Sequence, residues 1–297
     1  MARTKTTNIY DTITNQIIEA LEYGTEKFSL PWHRSTAPLS RPMNAVSKNA
    51  YRGVNVLALW ASAEAQDFGH GLWATYRQWQ SLGAQVRKDE KASPIVFYKV
   101  LDKREDQKIE EDKSPGHIFA RASHVFNVSQ VEGYEIPDTP EGEGFDPIPQ
   151  AQAFVEGTGA KVRAQGESAH YTPSTDTITM PDRERFFTTA SGSAGENWYA
   201  TLLHELVHWS GADHRLARKF GKRFGDEAYA MEELVAELGS AFLCGDLGLS
   251  TSPRPDHASY LASWHKVLKA DNRAIFTAAS AAAKAADYLQ SVKRSGS

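Results

Sequence analysis

Two histidines and a glutamate in the stretch 201–209 have the types and the spacing of a metal site. The stretch reads Thr-Leu-Leu-His-Glu-Leu-Val-His-Trp, so that His204 and His208 are four residues apart, with Glu205 between them. On an α-helix, residues four apart lie on one face, and two imidazoles placed there can chelate one metal ion. Glu205 would then lie beside the metal and polarise a bound water. The apolar neighbours in this stretch, with Gly211 as a C-cap, predict a buried helix.

A third protein ligand is needed, because a catalytic zinc ion normally binds three side chains and one water. His214 is one candidate, since it completes the longer spacing His-Glu-x-x-His-x-x-Gly-x-x-His. The other candidate is a later helical stretch, on which Glu233 and Glu237 are four residues apart and share a face. We favour Glu233 as the ligand and Glu237 as the carboxylate that orients a histidine. Reversed roles for the two glutamates, and His214, are the alternatives, and Glu232 is interpreted as a solvated surface charge.

The predicted cofactor is a divalent metal, with zinc preferred and manganese as another possibility, because histidine and carboxylate ligands accept both. If the site hydrolyses peptides, Glu205 is the general base that passes a proton to the leaving amine. One side-chain donor would also stabilise the oxyanion. The candidates are Tyr229, Tyr199 and Arg215, and Tyr229 is favoured because it precedes Glu233 by four residues.

Composition indicates two domains with different partners. The chain has 297 residues and a formal net charge of -4, but residues 1–130 hold 17 Lys and Arg against 14 Asp and Glu, and the remainder holds 16 against 23. Its one cysteine, Cys244, cannot form an internal disulfide, and the first residues lack the apolar core of a secretion signal. A cytoplasmic location is therefore expected. No apolar run approaches the length of about 18 residues that a membrane span requires, so no membrane partner is expected.

Hydrophobic periodicity and turn residues predict the elements of both halves. In the first half these are helices at about 7–26 and 54–66, a short helix or strand tip at 73–82, strands at 85–88 and 94–100 joined by the charged turn 89–91, a charged hairpin loop at 102–114, and strands at 117–120 and 124–128. In the second half they are a helix at 150–155, strands at 161–164, 169–171 and 176–180, the metal helix, and helices at 226–243, 260–269 and 273–289. The strand 176–180 is a candidate edge strand for an extended peptide. The stretch 132–149 is dense in Pro, Gly and acidic residues, which predicts an interdomain linker.

Aromatic and basic residues alternate through the first half, as in proteins that bind single-stranded nucleic acid with a basic groove and flat stacking side chains. The residues of this pattern predicted to contact DNA are Trp32, Arg41, Tyr51, Arg52, Trp73, Tyr76, Arg87, Lys88 and Lys91. Core packing of the aromatic residues is the alternative interpretation.

Several motifs together resemble the ArdC-type antirestriction proteins of conjugative plasmids. They are Pro31-Trp32, Asn44 with Tyr51-Arg52-Gly53-Val54-Asn55, Trp73-Ala74-Thr75-Tyr76, Val125 to Gln130, His204 to His208 with Gly211 and Arg215-Leu216, and Glu232 to Leu238. The resemblance adds Asn44 and Asn55 to the predicted DNA-binding residues. It implies an N-terminal domain that binds single-stranded DNA, a C-terminal zincin-like domain, and protection of incoming plasmid DNA from host restriction. That family regularly keeps the glutamate-rich helix but not a histidine at position 214, which favours Glu233 as the third ligand. The zincin-like half also resembles peptidases of the ImmA/IrrE and SprT types.

The predicted fold class is therefore α+β with two domains. An α+β domain that binds single-stranded DNA covers 1–131, the acidic linker covers 132–149, and a mainly helical zincin-like metallopeptidase domain with a small sheet covers 150–297. Three functions are compatible with this organisation: an antirestriction protein that binds single-stranded DNA, an active metallopeptidase that cleaves DNA-bound host proteins, and an interaction protein with a structural metal site. An intact Glu205 argues against the third, because a structural metal needs no general base. The expected partners are single-stranded DNA and a host restriction protein or another DNA-associated protein.

Overall fold

The structure is a computed structural model that describes residues 9–27, 41–100, 118–136, 147–189, 192–219, 227–249 and 257–295. The first half contains the helices α1 (Ile9–Lys27), α2 (Val54–Ala65) and α3 (Tyr76–Ser81), and the strands β1 (Met43–Asn44), β2 (Leu72–Ala74), β3 (Gln85–Val86), β4 (Ser93–Val100), β5 (Ile118–Asn127) and β6 (Val131–Glu132). The second half contains α4 (Pro147–Thr158), β7 (Lys161–Ala164), β8 (His170–Thr172), β9 (Thr177–Met180), α5 (Ala194–Ser210), α6 (Glu227–Leu247), α7 (His257–Ala270) and α8 (Ala274–Ser295). The predicted α+β class is confirmed.

The sheet of the first half has the order β1-β2-β5-β4, with β1 parallel to β2 and the other neighbours antiparallel. The strands on either side of the turn 89–91, β3 and β4, do not pair with each other. The strand β3 instead pairs with β6 in a separate two-stranded sheet, and β4 pairs with β5 along eight positions. The two strands predicted at 117–120 and 124–128 form the single strand β5. The charged run at 102–114 lies outside the described residues.

The sheet of the second half has the order β7-β9-β8, with β7 parallel and β8 antiparallel to β9. The prediction that strand 176–180 is an edge strand is therefore wrong. Because β9 is hydrogen-bonded on both sides, it has no free backbone edge to which an extended peptide could be added. The helix α4 begins at Pro147, three residues before the predicted start, which is compatible with the tolerance of the first helical turn for proline.

One hydrophobic core includes residues of both halves of the chain. The helix α2 is buried on nearly all sides, and the ring of its Trp60 packs on Phe242 of α6 with ring centres 5.9 Å apart. A hydrogen bond also joins the two halves, since the hydroxyl of Thr14 in α1 donates to the carbonyl of Asn272, just before α8, at 2.7 Å. The two halves thus do not have fully separate cores, as their predicted division implied, although a smaller cluster around Trp79 belongs to the first half alone. The proposed boundaries at 131 and 150 stay predictions.

The shared core predicts that damage in the first half also destabilises the second. We expect Trp60→Ala to lower the free energy of unfolding by about 3–5 kcal/mol, because a large buried ring is lost. Hydrogen exchange followed by mass spectrometry should show faster exchange in peptides from α5 and α6 as well as in those from β4. Phe97→Ala is the control, since its side chain is 52% exposed and its loss should change the free energy by no more than about 0.5 kcal/mol. Unchanged protection of α5 and α6 in Trp60→Ala would show that the halves unfold independently.

Candidate metal centre

The helix α5 carries the two histidines and the glutamate of the sequence motif. Its first turn is closed by a capping box, in which the Ser193 side chain accepts from the backbone of Glu196 and the Glu196 carboxylate accepts from the backbone of Ser193. The helix ends at Gly211, its predicted C-cap. His204 is 2% exposed and Glu205 is 5% exposed, so the motif is in the interior of the protein, as predicted.

Three side chains converge to form a candidate metal centre. The Nε2 atoms of His204 and His208 lie 3.1 Å apart. The carboxylate oxygens of Glu233 on α6 lie 3.5 Å from Nε2 of His204 and 3.6 Å from Nε2 of His208. Ligand atoms bound at about 2.0–2.1 Å to one tetrahedral zinc ion lie about 3.3 Å apart, so these separations fit a common ion. Among the residues that the structure describes, this is the group of three that could hold a metal.

The opposite nitrogen of each imidazole faces a second carboxylate. Nδ1 of His208 lies 3.2 Å from Glu232, and Nδ1 of His204 lies 3.7 Å from Glu237. An ionised carboxylate only accepts hydrogen bonds, so Glu232 favours the tautomer of His208 that has a proton on Nδ1 and leaves a lone pair on Nε2 for a metal. Glu237 faces Nδ1 of His204 from beyond hydrogen-bond distance. Glu237 therefore lies where a carboxylate that orients His204 was predicted, while Glu233 lies between both Nε2 atoms.

The interpretation of Glu232 as a solvated charge is wrong, since this residue is 6% exposed. Arg218 donates to both of its carboxylate oxygens, at 2.9 and 3.0 Å, and also to the hydroxyl of Ser210. Burial by itself raises the pKa of Glu232, but the hydrogen bonds from His208 and Arg218 outweigh burial and hold that pKa below its ordinary value. The sequence did contain a signal, because the residues three and four positions after Glu232, Val235 and Ala236, are apolar.

A glycine allows the two ligand-bearing helices to approach closely. A Cβ atom at Gly239 of α6 would lie 2.7 Å from a methyl group of Val207, which is within the metal motif of α5. One residue later, the hydroxyl of Ser240 donates to the carbonyl of Ala200 at 2.9 Å. This close contact sets the distance between α5 and α6, and therefore the distance between the histidines and Glu233.

The alternative third ligand, His214, and two of the candidate donors to the oxyanion form contacts away from the candidate metal centre. His214 is largely exposed and lies 3.7 Å from Asp176, outside the group that could hold a metal. Arg215 forms a two-pronged ion pair with the same carboxylate, at 2.6 and 2.9 Å. The hydroxyl of Tyr199 is buried and bonded to Gln152 and Arg183. Tyr229 is partly exposed on α6 and stays the predicted donor.

Several residues predicted to contact DNA are internal. The rings of Trp73 and Tyr51 belong to the hydrophobic core. Asn55 holds α2 to β4 through two hydrogen bonds of 2.8 Å to the backbone of Val96. The amide of Asn44 caps its own turn and bonds Tyr51. These side chains hold the first half together in this structure. The sequence pattern did not reveal this, because it does not distinguish an aromatic ring that stacks on a base from one that packs in the core.

Two predicted basic contacts instead form ion pairs between the halves. Arg41 is largely buried, lies 2.7 Å from Asp246 and stacks over Phe242. Arg52 is exposed but pairs with Asp287 of α8. Trp32 lies outside the described residues.

The remaining predicted contacts form an exposed patch, which we call the Tyr76 patch. It consists of Tyr76, Arg87, Lys88 and Lys91, all exposed to solvent. The Tyr76 ring packs edge-on against Phe126, with ring centres 6.5 Å apart, and its hydroxyl accepts from Gln85, which adjoins the loop that carries the cations. Arg87 is partly neutralised by Glu90 at 2.7 Å, whereas neither lysine forms an ion pair with any part of the chain that the structure describes.

No helix among the described residues is long and apolar enough to cross a membrane.

Comparisons with known proteins match both halves of the chain. Residues 7–126 match a family described as the N-terminal domain of the anti-restriction factor ArdC, and residues 149–281 match one described as a zincin-like metallopeptidase. The chain is 46% identical over 287 residues to the uncharacterized protein y4eC of Sinorhizobium fredii, covering 95% of this chain and 92% of that protein. It is 33% identical to the DNA primase TraC of Escherichia coli, covering 94% of this chain but only 20% of TraC.

Two crystal structures of the antirestriction protein ArdC from plasmid R388 are also similar. The metal-free structure is 36% identical, with a TM-score of 0.78, and the match covers 97% of this chain and 98% of that chain. The Mn(II)-bound structure is 36% identical, with a TM-score of 0.74, and the match covers 96% of this chain and 98% of that chain. The predicted two-domain architecture is thereby confirmed.

The geometry predicts which substitutions remove a metal. We expect Glu233→Gln to lose a bound divalent ion, since the carboxylate between the two Nε2 atoms is replaced by an amide. His214→Ala should keep the ion. Glu232→Ala and Glu237→Ala should weaken the affinity for the metal ion by about 10–100-fold, because the imidazole rings lose the carboxylates that orient them. Metal content after dialysis and competition titration with a chelator measure these effects, and circular dichroism checks folding. Loss of metal from His214→Ala but not from Glu233→Gln would refute the assignment.

Proposed function

This chain belongs to the ArdC family of antirestriction proteins, and we propose that it binds single-stranded DNA and protects incoming conjugative plasmid DNA from host restriction. The observation that carries this proposal is the 36% identity to ArdC of plasmid R388 over 98% of that protein. The Tyr76 patch supplies a surface of suitable chemistry, with an exposed aromatic ring beside basic side chains. We place this function in the cytoplasm, where a reduced single cysteine is expected.

We further propose that His204, His208 and Glu233 hold a divalent metal, either zinc or manganese. Two nitrogens and a carboxylate suit both ions, and the Mn(II)-bound ArdC structure supports the choice of a divalent ion. Such an ion, when bound, lowers the pKa of a coordinated water and polarises a carbonyl group. Glu232 keeps the His208 imidazole in the metal-binding tautomer, Arg218 holds Glu232 in place, and Glu237 faces the His204 imidazole at 3.7 Å.

A second candidate function is an active metallopeptidase that cleaves DNA-bound host proteins. It is favoured by the burial of Glu205 within the motif that carries His204 and His208, because a purely structural metal has no use for a general base. In this reaction, the Glu205 carboxylate would accept the proton of the attacking water and transfer it to the leaving amine. Tyr229 is the candidate donor to the oxyanion. A host restriction protein or another DNA-associated protein would be the substrate.

The DNA-binding proposal is tested by the salt dependence of binding to a labelled oligothymidylate. We expect the full chain to bind it with an affinity that falls as salt rises. Lys88→Gln with Lys91→Gln should reduce the slope of log affinity against log salt by about 1.4, because two phosphate contacts are removed. The matched control is Lys161→Gln with Lys266→Gln, two exposed lysines of the second half. An affinity independent of salt, or equal slopes in the two double variants, would contradict binding at this patch.

The two candidate functions are separated by conjugation into a restricting recipient with matched protein levels. We expect Glu205→Ala to keep full protection, because DNA binding does not need the general base. The Lys88→Gln, Lys91→Gln variant should lose protection in proportion to its loss of DNA affinity. Loss of protection in a folded, DNA-binding Glu205→Ala protein would instead identify hydrolysis as the mechanism.

A further inference from the structure

A basic cleft lies between the first helix of the chain and the half that carries the candidate metal centre. It has a volume of about 510 Å³ and lies between α1, α8 and the loop that follows α5. It is lined by Tyr10, Leu216, Arg218, Arg273, Phe276, Thr277, Ser280, Ala281 and Lys284. Its size is in the range of ligand-binding clefts, and it is separate from the Tyr76 patch in sequence.

The charge of this cleft calls for an anionic ligand. None of the nine described residues that line it is acidic. Arg218 is neutralised by Glu232, but Arg273 and Lys284 are exposed and form no ion pair within the described parts of the chain. The nearby carboxylate of Asp271 accepts from the backbone N–H of Arg273 and does not line the cleft. Two unneutralised cations therefore face the same open volume.

The spacing of these cations favours an elongated polyanion over a single small anion. Arg273, Thr277, Ser280 and Lys284 follow one face of the α8 segment, at intervals of three and four residues. Eleven residues separate the two cations along the chain, which corresponds to about 16 Å of helix. One inorganic phosphate does not span that distance, whereas a polymer with a charge on each unit does.

The aromatic wall favours nucleic acid over an acidic peptide. Tyr10 is only partly buried and packs on Phe276, with ring centres 4.7 Å apart. The guanidinium of Arg273 lies over the Tyr10 ring, 5.0 Å from its centre, so that the two planar groups together form the wall of the cleft. A flat aromatic surface beside cations accommodates unpaired bases and their phosphates together, whereas carboxylate side chains need only the cations.

We infer that this cleft between α1 and α8 is a second binding site for single-stranded nucleic acid. Phosphates would contact Arg273 and Lys284, and a base would stack in the region of Tyr10. This inference rests on the proposed binding of single-stranded DNA and assigns part of that binding to a cleft that α1 forms together with the second half. Arg218 belongs to both the cleft and the candidate metal centre, since it lines the cleft and forms an ion pair with Glu232, which in turn contacts His208. A bound strand would thus lie one side chain away from the carboxylate that orients a metal ligand.

The test measures oligothymidylate binding by the full chain across salt concentrations. Arg273→Gln with Lys284→Gln should reduce the salt slope by about 1.4, as expected for two lost phosphate contacts. Lys161→Gln with Lys266→Gln, which changes the same charge on exposed sites elsewhere, should leave the slope unchanged. An oligothymidylate that carries 5-iodouracil should form a photo-crosslink in the peptide containing Tyr10, and the cleft double variant should lose that crosslink.

The other possible outcomes separate a failure of the proposed function from a failure of this inference alone. A wild-type protein that binds no oligothymidylate overturns the proposed function together with this inference. Binding that responds to the Lys88→Gln, Lys91→Gln variant but not to the cleft variant, without a Tyr10 crosslink, overturns this inference alone. Displacement of the crosslink by oligoglutamate as efficiently as by unlabelled oligothymidylate would reassign the cleft to an acidic protein segment.

Discussion

Buried carboxylates in the second half of this protein must be paired with cations or with a metal, and this requirement constrains how its helices pack. Glu232, Glu233 and Glu237 all lie on one helix, and each is less than 10% exposed. An ionised carboxylate removed from water is strongly unfavourable unless it is paired or binds a metal. The histidines of α5 and Arg218 supply the pairing, and Gly239 allows α5 close enough for it to occur. The capping box and C-cap of α5 serve the same end, because they fix where the histidines face.

The features that could be predicted from the sequence are those that depend on local spacing, namely the positions of helices and the residues that share a helix face. The four-residue intervals between His204 and His208 and between Glu233 and Glu237 place these side chains on the sides of α5 and α6 that face each other in the structure. Most helices were located to within a few residues, because apolar periodicity over long stretches is a strong signal. The apolar Val235 and Ala236 indicate that Glu232 is buried, but its partner Arg218 was missed because it is on a different element and no local pattern connects the two.

The predictions that were wrong concern contacts between distant parts of the chain. The pairing of β3 with β6 and the central position of β9 are set by tertiary packing, which short apolar runs do not encode. Arg41 shows the same limit, since its basic side chain is compatible with a phosphate contact but instead pairs with Asp246. Burial raises the pKa of Asp246 above its ordinary value, and the Arg41 guanidinium counters this effect. The Arg41–Asp246 ion pair is thus one of the contacts between the two halves, and it offsets the burial of Asp246 only in part.

The core shared by α2, α6 and α8 also restricts how such a gene can change over time. A deletion that removed the metal-bearing half would leave the apolar surface around Trp60 exposed to water and liable to aggregate. Single residues such as Glu205 could be substituted without exposing this surface, and the helices around them would still be retained by selection for solubility. The whole unit would therefore be inherited or transferred as one piece, and its alignment over 94% of this chain within the much longer TraC agrees with that mode of inheritance.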